Sequence, residues 1–145
     1  MVELIPEVDE NDNIIRLRPK EDFYTGKFMH RSVHLLLFNS KNEILVQKRA
    51  LTKKWYHGLY TYSVSGTVRD ESYEDGMKRE MQEELGISIP VRYAFKYLFC
   101  DDVDKAFRAV FIGKTDKEIS PDYGEMSEIK WISADKLKGG HRKAP

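Results

Sequence analysis

The chain has 145 residues, 41% hydrophobic and 12% aromatic, enough for one core and too short for two independent ones. Lys and Arg number 24 and Asp and Glu number 24, so the net charge is zero. That balance excludes a bulk attraction for nucleic acid or an anionic membrane.

The longest apolar runs, such as Leu35-Leu36-Leu37-Phe38, fall far short of the ~20 residues that span a bilayer. Met1-Val2-Glu3-Leu4 has no basic stretch leading into an apolar one, so no signal peptide is expected and a cytoplasmic location is the default. Cys100 stands alone, which excludes an internal disulfide and a cysteine-rich zinc site; a small buried side chain is its expected role. Residues 1–145 are expected to form one domain with a frayed polar tail from about residue 138.

In chain order, residues 2–8 and 13–17 read as a hairpin around the polar turn Asp9-Glu10-Asn11-Asp12. Residues 20–24 suggest a short helical turn. Residues 32–38 and 43–48 read as strands joined by the turn Asn39-Ser40-Lys41-Asn42. A basic and aromatic loop follows over residues 50–58, then one strand over 60–65. The period then changes. Residues 73–85 contain no Pro, Ser72 with Asp75 forms a capping-box signature, and Gly86 is the natural stop. Met77, Met81 and Leu85 define a buried helix face. Strands are expected over 91–100, 106–113 and 128–132, and a helix from Ala134 toward Leu137. Strands on both sides of a helix give an α/β domain with a mixed sheet.

The helix carries the most informative chemistry. Glu80, Glu83 and Glu84 stand at i, i+3 and i+4, so their like charges share one face. Glu83 and Glu84 also occupy the last turn, the negative end of the helix dipole, where Lys or Arg is favoured. A divalent cation explains this placement, and a solvated acidic face is the plainer alternative. Mg²⁺ suits such hard oxygen ligands, with Mn²⁺ as the alternative ion. Gly76, mid-helix and four residues before Glu80, costs ~1 kcal/mol relative to Ala; its bare surface suggests room for a loop or substrate, with drift at a tolerated site the equal alternative.

Gly66-Thr67-Val68-Arg69-Asp70-Glu71, followed by Arg79-Glu80-Met81-Gln82-Glu83-Glu84-Leu85-Gly86-Ile87, resembles the Nudix box. The match from Glu71 to Ile87 is complete. Four residues separate Gly66 from Glu71 where the family has five. The resemblance implies a Nudix fold, a mixed β-sheet sandwiched between helices, here with an N-terminal β-hairpin. It also implies metal held by Glu80, Glu83, Glu84 and the Gly66 carbonyl. Glu80 or another of these glutamates would act as base, Arg79 would orient the carboxylates, and Glu71 would hold Arg79 or the loop. Glu125 and Glu128 lie where relatives often place a further acid; a solvated surface is the equal alternative.

Upstream, His30-Arg31-Ser32 and Lys48-Arg49-Ala50-Leu51-Thr52-Lys53-Lys54-Trp55 resemble the isopentenyl-diphosphate isomerases, a branch of the same superfamily. That resemblance places Arg49 and Lys53 on a substrate diphosphate, as an Arg fork and an ammonium suit, with His30 beside them. The isomerase machinery is missing. Its catalytic Cys aligns with Ser65, two of its metal-ligating His with Thr67 and Phe23, and two Glu with Asp104 and Ala106. His34 reads as structural. His57 could border the substrate pocket; the pair Trp55-Tyr56 reads either as a base-stacking surface or as a lid or core cluster.

The expectation is therefore a Mg²⁺-dependent Nudix hydrolase cleaving a phosphoanhydride bond of a nucleoside diphosphate-type small molecule. The alternatives are an isopentenyl-diphosphate isomerase with relocated acid and base groups, and a non-catalytic nucleotide-binding Nudix sensor. No membrane or nucleic-acid partner is expected, and the oligomeric state is left open.

Overall fold

The computed structural model describes residues 2–52 and 58–135. Strands β1 (Leu4–Val8) and β2 (Ile14–Pro19) form the expected antiparallel hairpin. Asp9 closes its turn, its Oδ1 accepting from the amides of Asn11 at 2.9 Å and Asn13 at 3.0 Å. Such side-chain capping of a turn is what Asp does best. Asp12, at φ 63°, ties the hairpin to the body, accepting from Arg31 (2.8 Å), Tyr73 (2.8 Å) and Lys96 (2.7 Å). Burial pushes the Asp12 carboxyl up, but these donors together hold it below the usual range. A short 3₁₀ helix, Lys20–Thr25, follows.

The main sheet contains β3 (His30–Phe38), β4 (Glu43–Arg49), β5 (Tyr60–Thr61), β6 (Val64–Thr67), β7 (Val91–Cys100), β8 (Lys105–Lys114) and β9 (Met126–Ser133). Its order is β5-β4-β3-β8-β7, with β6 paired to β3 and β9 to β4. β3 and β8 run parallel and the other pairs antiparallel. The stretch 60–65, expected as one strand, is two. Between them Ser63 is fully buried; its Oγ donates to the Leu45 carbonyl at 2.6 Å and accepts from the Leu37 amide at 2.9 Å. The chain there leaves β4 for β3, and the serine hydroxyl fills the gap that the change of partner opens.

Helix α1 (Tyr73–Leu85) has the expected caps. Ser72 accepts from the Asp75 amide at 3.0 Å, and Gly86 closes the helix at φ 67°. Met77, Met81 and Leu85 pack on Val33, Leu35 and Leu37 of β3, all essentially inaccessible. At ~25 cal/mol per Å² of apolar surface, this face is the main force seating the helix. Alternate side chains of a strand point to opposite faces, so His30, Ser32 and His34 face away from α1. The 3₁₀ helix flanks that opposite side, with Phe23 fully buried beside His30. The result is the expected α/β fold: a mixed sheet, flanking helices and an N-terminal hairpin.

Gly76 has a local explanation. A Cβ there would stand 3.2 Å from Glu71 Oε2 and 3.5 Å from Val68 Cγ2. The bare helix surface therefore admits the loop before the helix. Cys100 is exposed, correcting the expected buried role; it ends β7, at the margin of the sheet. Ala134 begins a helical turn. Its continuation to Leu137 and the tail from residue 138 lie outside the described residues, as do Lys53, Lys54, Trp55, Tyr56 and His57. Among the described residues, no helix is long and apolar enough to cross a membrane.

Candidate active site

Arg79 organises the acidic helix face. Its Nε donates to Glu71 Oε1 at 3.1 Å and its Nη2 to Glu71 Oε2 at 2.6 Å, a two-pronged fork. Its Nη1 reaches Glu80 Oε1 at 2.6 Å and Glu83 Oε2 at 3.4 Å, and Nη2 also meets the Thr67 carbonyl at 3.1 Å. The Arg79 hydrogen bond holds the Glu71 carboxyl below its usual range despite partial burial. The four-residue connection from Gly66 to Glu71 is thus long enough to deliver both Glu71 oxygens to Arg79.

Glu84 turns inward and is 6% exposed. Its Oε1 accepts from Gln47 Nε2 at 2.8 Å and from the Ser65 amide at 3.5 Å. Burial pushes its carboxyl up to about 9, and a hydrogen bond shared with Glu80 pushes the same way. Among the described residues, no three His, Cys, Asp or Glu side chains converge on one point as metal ligands. Glu80 and Glu83 face Arg79 while Glu84 faces Gln47. The donor chemistry nonetheless fits a hard divalent ion: the carboxylate oxygens of Glu80, Glu83 and Glu84 are hard ligands on one helix, and a cation would offset the cost of charging the buried Glu84.

Gly66 is the seam between this face and the opposite one. A Cβ there would collide with the Glu80 side chain, so glycine lets β6 pass this close without displacing Glu80. The backbone of Gly66 also lines a cleft of ≈ 290 Å³ on the other side of the sheet. His30, Ser32 and His34 of β3, Ser65 and Thr67 of β6, and Arg49 line it as well. Of the residues expected on substrate, His30 and Arg49 therefore share one cavity beside Gly66; Lys53 lies outside the described residues.

Hydrogen bonds hold the cleft wall. His30 Nε2 bonds Asp104 Oδ1 at 2.7 Å, while its buried Nδ1 has no partner among the described residues. His34, read from sequence as structural, bridges two hydroxyls of the wall: Nε2 to Ser32 Oγ and Nδ1 to Ser65 Oγ, both at 2.9 Å. Burial, helped by the Arg108 charge, lowers the His34 pKa to about 3, so its ring is neutral near pH 7. Phe23, where the isomerases carry a metal-ligating His, meets the His30 ring edge-on at 5.2 Å. Glu128 stays at the surface, accepting from the Tyr60 hydroxyl.

Arg108 and Phe99 also line the cleft, and sequence reading passed over both. The signal was available for Arg108. It is the lone charge inside the run Ala106-Phe107-Arg108-Ala109-Val110-Phe111-Ile112, and an interior strand position rarely carries a charge without a reason.

Residues 28–145 match the NUDIX domain family. The chain is 44% identical over 138 residues to a prenyl-diphosphate phosphatase of Methanosarcina mazei, covering 92% of this chain and 81% of that protein. It is 32% identical over 151 residues to isopentenyl-diphosphate Delta-isomerase 2 of Photorhabdus laumondii, covering all of this chain and 85% of the isomerase. Among solved structures, a Deinococcus radiodurans protein superposes with a TM-score of 0.82 at 20% identity, over 97% of this chain and 89% of the other. That likeness concerns the fold alone. A MutT protein of Methanosarcina mazei gives 0.70 at 30% identity, over 77% and 81% of the two chains. With the family matched over most of this chain and Glu71, Glu80 and Glu83 gathered around Arg79 of α1, the chain belongs to the Nudix family.

Proposed function

We propose that this protein is a divalent-metal-dependent hydrolase that cleaves the phosphoanhydride bond of a small organic diphosphate, with a prenyl chain as the organic group. The observation that carries the reading is Gly66, which lines the cleft and on whose other side the missing Cβ leaves room for the Glu80 side chain. A diphosphate at this edge of β6 meets the acidic face on one side and the cleft on the other. The relatives named for prenyl diphosphates favour a prenyl group over the nucleoside expected from the box alone. The apolar and aromatic wall of Tyr24, Leu59, Tyr60 and Phe99 suits such a chain.

Glu80, Glu83, Glu84 and the Gly66 carbonyl would hold Mg²⁺ or Mn²⁺. The ion, when bound, supplies charge neutralisation at the phosphate oxygens. Arg79, fixed by Glu71, sets the directions of Glu80 and Glu83 before substrate arrives, so little reorganisation is needed during reaction. Glu80 takes the proton of the attacking water. The water oxygen bonds to one phosphorus, the bond from that phosphorus to the bridging oxygen breaks, and that oxygen leaves on the other phosphate. The products are an organic monophosphate and inorganic phosphate. Arg49 and Lys53 bind the diphosphate oxygens, and His30 shapes the wall.

The isomerase alternative loses support from the same wall. Ser65 is a far weaker acid than a thiol and is held by His34. Phe23, Thr67 and Ala106 offer no imidazole or carboxylate where the isomerases place His and Glu.

The test is phosphate release from isopentenyl, geranyl and nucleoside diphosphates, with Mg²⁺, Mn²⁺ or chelator, beside Glu83→Gln. Metal-dependent release from prenyl diphosphates, lost in Glu83→Gln, is expected. Release from nucleoside diphosphates alone would overturn the substrate class. Tight binding with no turnover would point to a sensor, and an isomerised prenyl diphosphate would restore the isomerase.

A further inference from the structure

We infer that Arg108 is a second anion-binding group of the cleft, recognising phosphate oxygens of the substrate from the wall opposite the acidic helix. The inference takes the identity of its anion from the diphosphate reading above; the unsatisfied guanidinium stands without it.

Arg108 occupies an unusual electrostatic position. Its side chain is 19% exposed. A guanidinium offers five N–H donors in a rigid fork and cannot shed its charge. Among the described residues Arg108 makes no hydrogen bond. Its Nε is buried without a partner, and its nearest anion is Asp104, with Oδ2 at 3.6 Å from Nη2. Asp104 is itself committed, its other oxygen taken by His30 at 2.7 Å. A buried donor left unpaired is costly, and more so when charged. The arrangement is stable when a further acceptor enters.

The surroundings aim that demand into the cleft. The Phe99 ring underlies the guanidinium, its centroid 3.7 Å from the Arg108 Cζ, a cation–π contact that helps hold the side chain in place. Arg108 stands opposite Ser32 on β3, and Ser32 stands opposite Thr67 on β6. These residues form a row across three strands, all lining the same cavity. Two ladder steps put the Arg108 backbone about 10 Å from Thr67, a gap that a long side chain and a bound diphosphate fill together. Arg49 lines the same cavity from β4, on the other side of β3. The substrate anion thus meets two guanidinium groups from opposite sides, a geometry suited to oxygens spread over two phosphorus atoms.

The experiment is calorimetric binding of inorganic pyrophosphate, with and without Mg²⁺, to the wild-type protein, Arg108→Gln and Arg108→Lys, each checked by thermal melting. KM and kcat for geranyl diphosphate are measured alongside. Arg108→Gln is expected to weaken pyrophosphate binding and raise KM by about 10- to 100-fold, as loss of hydrogen bonds to a charged group implies, with a much smaller change in kcat. Arg108→Lys recovers part of the loss, as a point charge without the fork. Unchanged pyrophosphate affinity and KM in folded Arg108→Gln would overturn the inference while leaving the hydrolase reading intact. Arg108-dependent pyrophosphate binding in a protein that hydrolyses nothing would sink the hydrolase reading and keep the anion site. Should Arg108→Gln fail to fold, Arg108→Lys decides: wild-type affinity and KM there overturn the inference, and a partial loss supports it.

Discussion

On the α1 side of the sheet, one guanidinium meets three carboxylates: Arg79 bonds Glu71 twice and reaches Glu80 and Glu83. On the cleft side, Arg108 has a single carboxylate at 3.6 Å and no hydrogen bond among the described residues. The acidic face has anions in excess of its cation; the cleft wall has a cation in excess of its acceptors. Each imbalance is costly inside a protein, and in the proposed function each would be relieved by a different half of one ligand, a metal ion on one side and phosphate oxygens on the other. The alternation of β3 separates the two halves: Val33, Leu35 and Leu37 carry the helix, while His30, Ser32 and His34 face the cleft. Gly66 is where they meet.

Breaking the acidic half has the largest expected effect. Glu84→Gln should lower kcat by roughly 10²- to 10³-fold, the scale of losing a main electrostatic group at a reacting centre, read by phosphate release at saturating Mg²⁺. Gly66→Ala breaks the seam. Its Cβ must displace Glu80, so kcat should fall by up to about 10²-fold, the cost of a small misplacement, while circular dichroism stays native. Arg79→Lys removes the fork that organises three carboxylates; a loss of about 1–3 kcal/mol is expected, read by urea denaturation.

The cleft half responds to acid. His34 is held at about 3 in the folded protein, against a usual 6.5, chiefly by burial. A depressed folded value means the contribution is fully present above pH 6.5 and drains away as pH falls toward 3. The melting temperature of the wild type should therefore drop across that window, and His34→Gln should flatten the drop. An identical pH profile for both would separate His34 from acid stability. Gly76→Ala is the mildest change. The helix gains ~1 kcal/mol of propensity against a tight 3.2 Å approach to Glu71, so stability should move by less than about 1 kcal/mol and activity stay near wild type.

The acidic half was legible in the sequence because helical spacing is local. Ser72, Gly86 and the i, i+3, i+4 carboxylates fix the helical register from local spacing, and the box resemblance left Glu71 to hold Arg79 or the loop; its carboxylate does both, accepting from Arg79 and from the Arg69 amide. What spacing could not give was direction: Glu84 turns inward to Gln47, a residue 37 positions away, while Glu80 and Glu83 turn to Arg79. The cleft half was less legible because it is built by strand pairing. Asp104 reaches His30 across 74 residues, and Arg108 joins Ser32 through a parallel ladder that no local pattern specifies. His34 reads as structural from its neighbours in sequence, and the structure adds the partner that local pattern does not show, Ser65 on another strand. Cys100 was read as buried from its residue type, yet it sits at the end of an edge strand.

The measurement that tests the two-sided site most directly is steady-state hydrolysis of geranyl diphosphate in Mg²⁺ by wild type, Glu83→Gln and Arg108→Gln. The account predicts that Glu83→Gln loses kcat, that Arg108→Gln loses mainly affinity through KM, and that chelator silences all three. Wild-type kcat in Glu83→Gln together with wild-type KM in Arg108→Gln would contradict it, because neither face of the sheet would then be acting on the diphosphate.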